Sequence, residues 1–242
     1  MSERNYRILI GTAGWRHLQW GNEVFYPEDL PEDWYLSFYA NEFSIALVPE
    51  KQWQDLKATE QIVVEINEQA TPGFKCIFEL DLTRHLAGDL TLQKELAVRV
   101  ATLSQIESYV SGLLVSADIA AFNRKDFTDE IISLNNHFKV CIELKDATEE
   151  SDLTELIAFC ELYSMSVSWS GQGGVIVPEA SRLWLARCDS NQDNKALLQQ
   201  LKTVIAEQLK RESLSREHII IIDGSPPKIE AVRNANIMLD IM

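Results

Sequence analysis

Eight short apolar runs, each separated from the next by a longer amphipathic stretch, constrain this chain more than any other feature. They fall at Arg7–Ile10, Phe43–Val48, Phe74–Glu79, Gly112–Ser116, Phe138–Glu143, Ser164–Ser168, Leu183–Arg187 and Ile219–Asp223. The last contains Ile219-Ile220-Ile221-Ile222, with no polar alternation. A strand that is apolar on both faces has to be covered on both, which places it in a parallel sheet flanked by helices. The intervening stretches supply those helices. Leu92, Leu96, Val100, Leu103 and Val110 form one stripe; Leu197, Leu198, Leu201, Val204, Ile205 and Leu209 form another. Lys210 and Arg211 fall in the last turn of the second, where cations suit the helix dipole. A final helix is expected with Ser225 as cap, Pro226 in the first position, and Ile229, Val232, Ala235 and Leu239 facing inward.

Strand and helix alternating in this way imply right-handed crossover units. Eight units in 242 residues match the size of an α/β fold of the TIM-type (β/α)8 barrel class, about 250 residues. No linker, low-complexity tract or charge run divides the chain, so one domain over residues 1–242 is expected. An open doubly wound sheet is the alternative, because strand number alone does not establish closure.

Charge narrows the partners. The chain has 22 Lys and Arg against 37 Asp and Glu, a net charge of −15, and no segment is basic overall. A broad electrostatic grip on nucleic acid or an anionic membrane needs a basic face, so both partners are disfavoured. No stretch approaches the roughly 20 apolar residues of a membrane span, and the first residues do not read as a signal peptide. Cys76, Cys141, Cys160 and Cys188 form no C-x-x-C pair. They read as reduced core thiols, and the expected compartment is the cytoplasm.

In a barrel, chemistry sits at the carboxyl ends of the strands. That rule selects Gly11-Thr12-Ala13-Gly14-Trp15 after the first strand, Glu79 at the third, and Asp118 after the fourth. It also selects Glu143 with Lys145 and Asp146 at the fifth, Arg187 at the seventh and Asp223 at the eighth. Glu143 next to a cation serves as base, substrate clamp or half of a structural ion pair. Asp223-Gly224-Ser225 leads into the last helix, but Pro226 and Pro227 remove two backbone donors that an anion would use there. Ser170-Gly171-Gln172-Gly173-Gly174 matches no phosphate-binding motif and reads as a flexible loop, with a lid or an anion nest as the alternative. His17 and His85 alone among the four histidines are placed to reach the functional face. No cofactor is expected. A Mg²⁺ or Mn²⁺ site built from Glu79, Asp118, Glu143 and Asp223 is conceivable, and chance proximity of acids in an acidic chain is the alternative.

The opening Ile8-Leu9-Ile10-Gly11-Thr12-Ala13-Gly14-Trp15, then Trp20-Gly21, Phe25-Tyr26-Pro27, Leu30-Pro31, Trp34, Tyr39 and Ala40, resembles the YecE-like proteins, grouped under domain of unknown function 72. The resemblance continues at Phe74-Lys75, Thr83, His85, Gly112-Leu113-Leu114 and Ile142-Glu143-Leu144-Lys145, and ends at Ala231, Asn234, Ala235 and Leu239. It implies a TIM-type barrel of unassigned activity. The departures lie at the barrel mouth. The family's V-E-I-N segment falls at Ala46-Leu47-Val48-Pro49, a lysine at Glu79, a glutamine and prolines at Ser116-Ala117-Asp118, and two asparagines at Asp223-Gly224. An arginine and a histidine fall at Lys145 and Asp146, and Arg187 is what remains of an R-x-H-G motif. Scaffold residues persist while the polar mouth has changed, which places part of the net −15 at the functional face.

Three functions follow as expectations. The first is a small-molecule site in which Trp15 stacks, Lys145 and Arg187 hold an anionic group, Thr12 and Asp223 contribute contacts, and Glu143 supplies hydrolase- or isomerase-type chemistry. The second is a degenerate, non-catalytic barrel that serves as a binding or scaffold protein. The third, a metal-dependent nucleic-acid or phosphoester hydrolase, is least compatible with the charge. Oligomeric state is not readable.

Overall fold

The structure, a computed structural model, describes residues 8–21, 23–86, 90–145, 150–169, 178–210 and 217–241. The strands are β1 (Ile8–Ala13), β2 (Ile45–Val48), β3 (Lys75–Asp81), β4 (Val110–Ala117), β5 (Val140–Leu144), β6 (Ser166–Val167), β7 (Leu183–Asp189) and β8 (Glu217–Asp223). Between and after them run α1 (Tyr35–Glu42), α2 (Leu56–Gln69), the single turn α3 (Leu82–His85), α4 (Leu90–Leu103), α5 (Lys125–His137), α6 (Glu150–Tyr163), α7 (Asn194–Lys210) and α8 (Ile229–Ile241). Each apolar run of the sequence is thus a strand.

All strand pairs are parallel, in the order β6-β5-β4-β3-β2-β1-β8-β7. The two ends of that order meet. Trp169, just past β6, bridges Ala186 of β7: the Trp169 N–H donates to Leu185 O at 3.1 Å, and the Arg187 N–H donates to Trp169 O at 3.0 Å. A closed sheet has no free edge, so the barrel reading holds over the open sheet. Because β6 is only two residues long, closure on this side rests on few hydrogen bonds.

Side chains that alternate along a strand face opposite ways, and here they divide into two cores. Leu9, Ile45, Leu47, Ile77, Leu114, Cys141, Leu185, Ile219 and Ile221 fill the barrel interior. Ile10, Ala46, Phe78, Val115, Ile142, Trp184, Ala186, Ile220 and Ile222 face the helices. The unbroken Ile219–Ile222 run is explained: Ile219 and Ile221 point in, Ile220 and Ile222 point out, and all four are fully buried. The four cysteines are buried free thiols. Burial pushes the Cys141 and Cys188 thiols up to about 12, which removes their nucleophilic form.

Packing also explains the aromatic segment after β1. Trp20, Phe25, Tyr26 and Tyr39 are buried, while Trp34 is exposed. Trp20 stacks on Tyr39 with ring centroids 6.4 Å apart, and Tyr26 on Tyr35 at 4.0 Å. Two helix boundaries differ from expectation. The stripe assigned as far as Val110 stops with α4 at Leu103, and Val110 begins β4. α8 starts at Ile229, not Pro226, because Ser225 and Pro226 each precede a proline and are disfavoured from helical backbone. The strand residue Arg7, Arg211 of the helical stripe, and the Ser170–Gly174 loop lie outside the described residues. Among the described residues no helix is long and apolar enough to cross a membrane.

Gly11 is dictated by strand spacing. A Cβ on Gly11 would lie 1.8 Å from Ile45 O on the neighbouring strand, whereas one on Gly21 would meet only Leu18 O at 3.4 Å. Gly11→Ala should therefore destabilise the fold by about 2–4 kcal/mol, and Gly21→Ala by about 0.5 kcal/mol or less. Urea denaturation of the two variants checks the contrast.

Candidate functional site

The strand period places the site. Glu79, Glu143, Arg187 and Asp223 each lie two residues beyond an interior core residue: Ile77, Cys141, Leu185 and Ile221. All four side chains therefore share the inward face at the carboxyl end of the barrel. Asp81 and Lys145 occupy the next inward positions of β3 and of the chain after β5.

The Arg187 guanidinium sits at the centre. Its Nη1 donates to Glu79 Oε1 at 3.0 Å and to Glu143 Oε2 at 2.8 Å. Its Nε donates to Asp223 Oδ2 at 2.8 Å, and Nη2 lies 2.7 Å from the same oxygen. Asp223 Oδ1 accepts from the Gly224 N–H at 2.7 Å. A planar fork with five donors is the side chain that can satisfy several carboxylates at once. One positive charge among three negative ones leaves this cluster at net −2 with all groups ionised. The four side chains are between 22% and 32% exposed, so the cluster is open to solvent from the mouth. Next to it, Lys145 Nζ donates to Asp81 Oδ2 at 2.7 Å.

The electrostatics follow from this crowding. Burial would lower the Arg187 pKa, but Glu143, Asp223 and Glu79 hold it above its ordinary value. The Glu143 carboxyl is pushed above the usual range chiefly by burial, which together with the smaller repulsion from Glu79 and Asp223 outweighs the pull of Arg187.

A second layer holds β3 in place. Trp53 Nε1 donates to Glu79 O at 3.0 Å, and the Asp81 N–H donates to Glu50 Oε2 at 2.8 Å. Glu50 Oε1 lies 2.6 Å from His85 Nε2 and 4.0 Å from Arg99 Nη2. Arg99 is almost fully buried with its guanidinium 4.3 Å above the Trp53 ring. Burial would raise the Glu50 pKa, but the bonds from His85 and the Asp81 N–H, with the charge of Arg99, hold it below the usual range. Sequence reading did not single out Asp81, Glu50 or Arg99. The two-residue step along β3 would have found Asp81; the other two depend on contacts across the fold.

Two expected contacts are placed elsewhere. Thr12 lies on the outward face of β1 and is buried: its N–H donates to Tyr39 Oη at 2.8 Å, and its Oγ1 donates to Gly14 O at 2.7 Å. Trp15 is fully buried, and its indole N–H donates to Glu65 Oε1 at 3.0 Å, so no face is left for stacking a ligand. Arg187 and Lys145 are in the mouth as expected, but both are paired with protein carboxylates, not free to clamp an anion. His17 Nε2 lies 2.9 Å from Ala13 O, and His85 is committed to Glu50. Asp118 is half-buried, and its carbonyl accepts the Ala121 N–H at 3.0 Å. Asp146 lies outside the described residues. Among the described residues no group of three or more His, Cys, Asp or Glu side chains is gathered so as to hold a metal ion; Arg187 stands where Glu79, Glu143 and Asp223 converge.

Fold and site together define an α/β barrel with an acidic mouth centred on a guanidinium. The crystal structure of a DUF72 family protein from Thermotoga maritima has the same fold, with a TM-score of 0.67 at 12% identity. The match covers 97% of this chain and 100% of that one. The YecE-like resemblance read from the sequence is thereby supported at the level of the fold. Searched against family models and curated proteins, the chain matches none.

Two outcomes test the electrostatics. Arg187→Met leaves three carboxylates facing one another and should cost about 1–3 kcal/mol near neutral pH, with the cost shrinking in acid as they protonate. The folded chain holds the Glu143 proton more tightly than the unfolded chain does. The stability linked to Glu143 is therefore fully present below the ordinary carboxylate range and lost as pH rises through its raised pKa. Glu143→Gln should gain stability relative to wild type between about pH 4 and pH 8. Thermal unfolding across that range checks both.

Proposed function

We propose that the carboxyl-end mouth of this barrel binds a small cationic molecule, an amine, with Glu143 as the group that exchanges a proton with it. The observation that carries the reading is the convergence of Glu79, Glu143 and Asp223 on the single guanidinium of Arg187. That arrangement uses the available cation and leaves an excess of negative charge facing solvent. Arg187 engages Oε1 of Glu79 and Oε2 of Glu143; among the described residues the second oxygen of each has no protein hydrogen-bond donor. An ammonium group supplies N–H donors to both oxygens and neutralises part of the excess charge. An anionic ligand would have to approach the same oxygens against their charge, and so would a phosphodiester.

The raised pKa of Glu143 supports a role in proton exchange, because a carboxyl shifted toward neutral pH is a better acid–base group than an ordinary one. Hydrolase- or isomerase-type chemistry at this mouth would run through Glu143. A second reading, a barrel that binds without turnover, is favoured by the engagement of Arg187 Nε, Nη1 and Nη2 with protein carboxylates.

A thermal-shift panel of diamines, polyols and phosphate esters tests the proposal. Diamines should raise the melting temperature by roughly 2–4 °C for each kcal/mol of binding energy at the concentration used. High salt should weaken the shift, and the double variant Glu79→Gln with Glu143→Gln should lose it. A response confined to the anionic compounds, or none to any amine, contradicts the proposal. Release of product from a bound amine separates the catalytic from the non-catalytic form.

A further inference from the structure

We infer a second, separate small-molecule site for an aromatic carboxylate, in a cleft beside the mouth between the chain after β1 and the loops that follow β7 and β8. The cleft has a volume of about 720 Å³, inside the range of roughly 300–1,000 Å³ of small-molecule sites. It does not depend on the reading of the mouth as an amine site.

Three observations define its ligand. The walls are largely apolar, with Trp20, Val24, Leu197, Leu198, Pro226 and Pro227 contributing. Val24 is 62% exposed, and exposed aliphatic surface beside a concave wall gains from being covered by an apolar body. The second observation is charge. In a chain of net −15, the cleft lining contains one lysine, Lys228, and one carboxylate, Glu230. Glu230 is tied to Arg233 at 2.9 Å. Lys228 Nζ reaches only neutral acceptors among the described residues, Gln192 O at 3.1 Å and Asn194 Oδ1 at 3.2 Å. Its positive charge is uncompensated there, and an ammonium retains a third donor for an incoming carboxylate.

The third observation is that the frame is held together. Trp20 Nε1 donates to Pro227 O at 3.0 Å, so the wall from the β1 side is pinned to the β8 loop. Ser190 Oγ donates to Asp223 O at 2.6 Å and accepts the Lys228 N–H at 3.1 Å, which joins the β7 and β8 loops. A cleft whose walls are bonded to one another is formed before a ligand arrives and loses little freedom on binding. Pre-formed apolar walls, exposed aliphatic surface at Val24 and one uncompensated cation at the rim match an apolar body, such as a flat ring, that bears a carboxylate.

Titration of the whole chain with 2-naphthoate, followed by amide NMR and calorimetry, tests the site, with neutral 2-naphthol as the shape control. The expected result is saturable binding with a dissociation constant of about 1 mM or below, with shifts at residues 19–24 and 224–231. Naphthol should bind more weakly. Lys228→Gln should weaken naphthoate about tenfold and abolish its advantage over naphthol, and Val24→Trp, which narrows the cleft at an exposed position, should weaken both compounds. Melting temperatures of the variants without ligand, equal to wild type, show that each is folded. The inference is overturned if naphthoate shows no saturable binding, if its shifts fall elsewhere, or if Lys228→Gln leaves its affinity unchanged.

Discussion

The Arg187 guanidinium is the interaction on which the mouth of this barrel depends. Three strand ends deliver carboxylates to one inward-facing point, and like charges so close together are tolerable only with a cation between them. Asp223 takes two of the guanidinium nitrogens, while Glu79 and Glu143 share the third. The cluster thereby ties β3, β5, β7 and β8 together across the top of the barrel. This lies on the side where β6 is short and closure rests on the Trp169–Ala186 bridge. The same carboxylates that brace the mouth are the ones it presents to solvent.

Around that centre, the fold uses buried polar contacts to hold strand ends rather than to meet ligands. Thr12 and Tyr39 lock the end of β1, and Trp15 reaches Glu65 on α2. Trp53, Glu50, His85 and Arg99 support the end of β3 from behind. Such networks are costly if left incomplete, so they favour one arrangement of the loops. The side chains that remain accessible in the mouth are then mostly acidic, which is the ground for proposing a cationic ligand in place of the anionic one expected from the sequence.

The architecture was legible because each strand is a run of apolar residues, and burial on both faces leaves a local mark in the chain. Closure was not: it depends on Trp169 meeting Ala186, a contact between segments with no shared pattern. In the mouth, Glu143, Lys145, Arg187 and Asp223 were legible from the ends of the strands. Thr12 was misplaced even though its parity was available, since it lies three residues from the interior Leu9 and so on the opposite face. Trp15 could not have been assigned, because its partner Glu65 is distant in sequence. For Arg187 the sequence leaves two readings open, a clamp for an anionic group or a structural pair with a mouth carboxylate, and it does not decide between them for the same reason: Glu79 lies 108 residues away, and pairing at that distance leaves no trace in local composition. The start of α8 was readable from its consecutive prolines, whose effect on the preceding residue outweighs the preference of proline for a first helical turn.

The account stands on the coupling between Arg187 and the carboxylates around it. The most direct measurement is the titration of the Glu143 side-chain carboxyl by carbon-detected NMR, in wild type and in Arg187→Met. The account predicts that Glu143 titrates above the ordinary carboxylate range in wild type, and higher still once its cation is removed and Glu79 and Asp223 remain. An ordinary titration of Glu143 that does not move when Arg187 is lost would contradict it.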